Sequence, residues 1–166
     1  MILGIPTAAF TLIHVVISLV GIGSGFVVVF GLLAGRSLNG WTGLFLLTTA
    51  LTSLTGFGFP VHHLLPSHVI GIILLVVLAI AVLARYAFHL AGPWRRTYAI
   101  FAAIALYLNV FVLIVQSFMK VPALKALAPT QSEPPFLVAQ LVVLALFTVL
   151  TIFVAKRFRD MQVHAA

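Results

Sequence analysis

Four stretches of this chain carry no charged residue: 1–35, 37–84, 97–119 and 134–155. Hydrocarbon offers a backbone no hydrogen-bond partners, so runs of this length become helices that satisfy their own N–H and C=O groups. The sequence is therefore read as all-α, a polytopic membrane bundle forming one transmembrane domain over residues 1–166. Hydrophobic residues make up 63% of the chain and charged residues 7%, far from the usage of soluble domains. The first apolar run, Ile2 to Ala34, has no basic segment before it and is too long for the core of a removable signal peptide, so it reads as a retained helix.

Turn signals divide the chain into five expected spans near 6–34, 41–60, 67–90, 97–119 and 134–156. The second is the least apolar, with Thr42, Thr48, Thr49, Thr52 and Thr55 followed by Gly56-Phe57-Gly58-Phe59-Pro60, and reads as short, broken or tilted. Five spans put Arg36, Arg85, Arg95, Arg96, Lys156, Arg157 and Arg159 on one side and only Lys120 and Lys125 on the other. The positive-inside rule then predicts an external N-terminus and a cytoplasmic C-terminus.

Several chemistries are excluded by what the sequence lacks. It has no cysteine, which removes disulfides, thiol chemistry, iron–sulfur clusters and covalent haem attachment. Its two acidic residues, Glu133 and Asp160, lie outside the expected spans, so neither a carboxylate proton relay nor a carboxylate di-iron site can be built within the membrane. No lysine lies within a span to carry a retinal Schiff base. The formal net charge of +7 comes from residues flanking apolar segments, a pattern that points to the bilayer and anionic lipid headgroups as partners and not to nucleic acid.

Polar groups collect on the expected external side. A helical rise of about 1.5 Å per residue puts His14, His68, Gln116 and Gln140 in the external half, with His62 and His63 in the connection before Pro66 and Glu133 in another external loop. Ser18, Gly21 and Gly25 continue the helical stripe of His14, so His14 faces protein and not lipid. Intramembrane histidine is costly without a partner, and its neutral ring is a common ligand for haem iron, copper and zinc. Two ligand sets are open. His14 and His68 clamp a b-type haem, with Gln116 and Gln140 nearby and Lys120 or Lys125 near its propionates; alternatively His62, His63 and His68 hold copper or zinc, with His14 or Glu133 added. Against both stands a packing role, in which His14 bonds Gln140 or Gln116, Ser67 and His68 belong to a helix start, and no cofactor binds.

Asn109 in the middle of the fourth span reads as interhelical glue, or else as the lining of a quinone site or pore. Arg85, Tyr86, His89 and Trp94-Arg95-Arg96 read as an interfacial belt, or as a site for a quinone headgroup or an anionic lipid. No motif identifies a catalytic residue.

The block Leu106-Tyr107-Leu108-Asn109-Val110-Phe111-Val112, with Lys120-Val121-Pro122-Ala123-Leu124 and Leu127-Ala128-Pro129-Thr130-Gln131-Ser132-Glu133-Pro134-Pro135-Phe136, resembles a family of short bacterial integral membrane proteins without an assigned activity. Leu54-Thr55-Gly56-Phe57-Gly58-Phe59-Pro60 is similar to the end of that family's second span. The resemblance implies a multi-pass location in the bacterial inner membrane and transfers no functional residue. The expected function is a small redox-associated membrane protein holding haem or a metal near the external face. The alternatives are a structural or accessory subunit of a larger complex or homo-oligomer, and a small permease, the latter weakened by the missing acidic coupling residues.

Overall fold

The computed structural model describes residue 2 and residues 4–59 and 66–160. Its helices are α1 (Thr7–Leu33), α2 (Asn39–Gly56), α3 (Pro66–Val82), α4 (Pro93–Lys120), the short α5 (Pro122–Leu127) and α6 (Pro134–Asp160). Proline opens α4, α5 and α6, where the missing N–H removes a donor that a first helical turn leaves unbonded anyway. After α3 the helix widens into one π-type turn over Leu83–Ala87, and the chain reverses through left-handed backbone at His89 and Leu90, with φ of 49° and 56°.

The contacts fix the arrangement. Gly21 meets Thr48 and Gly25 meets Phe45, so α1 and α2 run antiparallel. Phe57 meets His68 at one end of the α2–α3 seam, and Arg85 meets Asn39 at the other. α1 packs on α2, α2 on α3, α3 on α4 and α4 on α1, closing a ring in which α1 and α3 stand on one diagonal and α2 and α4 on the other. α6 lies outside that ring against α4 and α1, through the Phe118–Phe136 and Phe26–Phe147 contacts.

Small residues let the first seam close. A Cβ on Gly25 would fall 2.7 Å from Leu106 Cδ1 and 2.8 Å from Phe45 Cε2, closer than packed carbon atoms come. The absence of a side chain there is what brings α1, α2 and α4 together around the buried Phe45 and Leu106.

Four of the described helices are long and apolar enough to cross a membrane: α1, α3 with its π turn, α4 and α6. α2 is 18 residues long, and its hydroxyls and glycines keep it out of that set. Its hydroxyls bond back to its own chain, from Thr48 to the Leu44 carbonyl and from Ser53 to the Thr49 carbonyl. Of the four apolar helices α6 is the least covered by protein, with 11% of its span buried. The expected fourth span, 97–119, extends to Pro93–Lys120, so Arg95 and Arg96 belong to the first turn of α4. α5 and the π turn had no counterpart in the sequence expectation.

Candidate functional site

At the end of the ring where α1 begins lies a cavity of about 450 Å³, within the size range of small-molecule sites. α1 contributes His14, Ser18 and Ile22 to its wall, α2 contributes Thr52, Ser53 and Gly56, α3 contributes His68 and Leu74, and α4 contributes Asn109, Gln116 and Lys120. Phe57 and Phe59, in the turn after α2, add aromatic walls.

His14 is half-buried, and its Nδ1 lies 2.8 Å from the Thr55 hydroxyl on α2. The Thr55 hydroxyl also lies 2.7 Å from the Leu51 carbonyl and 3.2 Å from the Thr52 carbonyl, and when it donates to either it accepts from the ring, which puts the proton on Nδ1 and leaves Nε2 its lone pair. A ring held in this way by a second partner is a prepared ligand or hydrogen-bond acceptor. Phe59 packs edge-on against the imidazole at 5.4 Å between centroids, limiting its rotation.

His68 enters from the first turns of α3 and is buried, its ring 5.5 Å from that of Phe57. Deeper in the bundle Asn109 donates from Nδ2 to Thr49 Oγ1 at 3.2 Å. Beside it Thr52 Oγ1 is buried on the cavity wall with no hydrogen-bond partner among the described residues.

His14, His68 and Gln116, all expected as cofactor contacts, thus meet in one cavity. Gln140 does not join them. Its Nε2 donates to the Phe111 carbonyl at 3.3 Å, on the seam between α4 and α6. The amide partner expected for His14, Gln116 or Gln140, is replaced by Thr55. Glu133 accepts from the Thr130 N–H, the Thr130 hydroxyl at 2.9 Å and the Ser132 N–H, closing the turn before α6. Partial loss of water would raise the Glu133 pKa, but these hydrogen bonds outweigh it and hold the carboxyl below its ordinary range. His62 and His63 lie outside the described residues. Among the described residues no three His, Cys, Asp or Glu side chains stand together as a metal site.

No protein-family model, curated protein or solved structure matches this chain. Chemical inference about the cavity rests on its own residues.

The walls are mostly apolar and carry a few convergent polar groups, the usual make-up of a site that binds a hydrophobic molecule and orients it. Two imidazoles come from helices on a diagonal of the ring, one with a lone pair directed by its partner. Lys120 supplies a cation at the same end. Sequence reasoning missed Thr55, Thr52, Ser53 and Ser18 as parts of the site. The signal for the α2 residues was present, since Thr48, Thr52 and Thr55 recur at helical spacing and share one face.

Proposed function

We propose that this protein is a small redox-associated protein of the bacterial inner membrane that holds a b-type haem between His14 and His68. In this reading α2 completes five spans, the N-terminus is external and the C-terminus cytoplasmic, and the cavity lies toward the external face. The count of basic residues supports that orientation, with Arg36, Arg85, Arg95 and Arg96 grouped at the end opposite the cavity.

The observation that carries the proposal is that His14 and His68 line one cavity from helices on the ring's diagonal. A porphyrin needs apolar walls, ligands from opposing sides and a cation for its carboxylates, and Val112, Leu113, His14, His68 and Lys120 supply groups of those kinds. Thr55 holds the His14 tautomer that leaves Nε2 able to ligate. The Phe57 and Phe59 rings exclude water from the imidazoles. When bound, the haem supplies one-electron transfer. Copper or zinc would need His62 and His63 to join His68.

Purification in mild detergent tests the reading. The expected product is coloured, with the Soret and reduced α bands of bis-histidine haem, and both His14→Ala and His68→Ala lose the chromophore while still inserting in the membrane. Colourless, metal-free wild-type protein would overturn it. An accessory subunit whose polar groups only fasten helices then becomes the better reading, favoured by the bonds from His14 to Thr55 and from Asn109 to Thr49.

A further inference from the structure

The end of the bundle opposite the cavity carries a buried cation. Arg85 lies in the π turn after α3 and is only 8% exposed. Its Nη1 donates to Ser37 Oγ at 3.2 Å and its Nη2 to Asn39 Oδ1 at 2.5 Å, while Nε has no partner among the described residues. The guanidinium also stands 5.2 Å from the centre of the Tyr98 ring, which is itself fully buried. Every one of these partners is neutral.

Two helix ends meet at this cation. Ser37 and Asn39 flank the start of α2, whose N-cap, Leu38, provides no side-chain cap. The first-turn N–H groups of α2 thus lack a side-chain cap at the end where Arg85 bonds Asn39, while Arg85 itself closes the last turn of its own helix, whose carbonyl end favours a cation. The only carboxylate among the described side chains, Glu133, is engaged in its own turn at the opposite end. Among the described side chains this buried cation has only neutral partners, a setting that favours a bound anion.

We propose that Arg85 and the start of α2 form a binding site for a phosphate-bearing anion, presented by the headgroup of an anionic phospholipid. The buried guanidinium supplies the charge, and Ser37 and Asn39, both exposed and both held by it, offer the polar groups that a phosphate oxygen would meet. Lipid is favoured over free phosphate because large apolar side chains are exposed at this end: Trp41, Tyr86 and Phe88 are 47%, 52% and 41% exposed. Aromatic side chains of this kind sit where headgroups meet acyl chains. The site is separate from the cavity and does not depend on haem.

The test measures thermal stability and retained lipid on the full-length protein in neutral detergent. Phosphatidylglycerol, phosphatidylcholine and inorganic phosphate are titrated in parallel against wild type, Arg85→Gln and Arg36→Gln, which removes an exposed cation at the same end. Phosphatidylglycerol should raise the midpoint of wild type and Arg36→Gln, with phosphatidylcholine inert. Arg85→Gln should bind at least about tenfold more weakly, the expectation for losing a charge-assisted hydrogen-bonded contact. A matching response to inorganic phosphate would support the site but assign it to free anions. If Arg85→Gln cannot be purified, Arg85→Lys replaces it, and native mass spectrometry should show less co-purified anionic lipid than wild type. Equal responses to both lipids, equal responses in wild type and the Arg85 variant, or no response in wild type would overturn the proposal.

Discussion

Asn109 of α4 donates to the hydroxyl of Thr49 on α2 at 3.2 Å, and both residues are buried. The bond crosses a diagonal of the ring, as does the buried contact of 3.3 Å between the Thr42 and Tyr98 hydroxyls. Asn109→Leu and Thr49→Val should each cost roughly 1–2 kcal/mol, and a double-mutant cycle should give a coupling of about 0.6 kcal/mol, since membrane hydrogen bonds are modest. Thermal unfolding of the four proteins in one detergent measures it. Additive losses would mean that the pair merely coincides.

Gly25→Ala should destabilise the bundle by about 1–3 kcal/mol, because the new methyl would overlap Leu106 and Phe45 in a packed core. Gly23 has nothing within 4 Å of where its Cβ would stand, so Gly23→Ala should be neutral or slightly stabilising through helix propensity. Comparing the two midpoints separates overlap from propensity.

Thr55→Val removes the acceptor that orients His14. If His14 ligates haem, cofactor affinity should fall about 10–100-fold, as when other outer-shell partners of metal-bound histidines are lost. Insertion and helix content should be unchanged. Spectral titration with added haem reads the loss, and a valine variant that binds as tightly as wild type would remove Thr55 from the site.

The Glu133 carboxyl is held below its ordinary range by Thr130 and Ser132, so its ionised form is favoured by folding. Its contribution to stability is present at neutral pH and is lost as pH falls through the ordinary carboxylate range toward its folded value. Glu133→Gln should therefore flatten the acid side of the stability profile, with little change at pH values above that range. Thermal midpoints taken across acidic pH check it.

Reporter fusions after Arg36 and Arg96 should read cytoplasmic and a fusion near Thr130 external. A cytoplasmic Thr130 would invert the proposed orientation.

The helices were legible because uncharged runs in hydrocarbon have one solution, and Ser18, Gly21 and Gly25 correctly turned His14 toward protein. Charge was a poorer guide to where helices end. Arg95 and Arg96 lie inside α4, since long basic side chains reach an interface without breaking a helix. The partner of His14 could not be read, because which side chain meets it depends on how α1 and α2 are rotated against each other. The place of Gln140 could not be read for the same reason, as one helical face decides between the cavity and the seam with Phe111. The Thr face of α2 was visible in the sequence but was read as weakness in a span when it is in part the wall of a cavity.

That face has a bearing on assembly. α2 turns most of its hydroxyls to its own carbonyls, to His14, and to Asn109 and Tyr98 of α4, while Phe45 beds against Gly25 of α1. The helix with least affinity for an oily phase thus buries Thr42, Thr48, Thr49 and Ser53 against its neighbours. α1 and α2 make a hairpin whose second arm is shielded by the first, and such a hairpin is the smallest piece of this chain that would move between water and lipid as a unit.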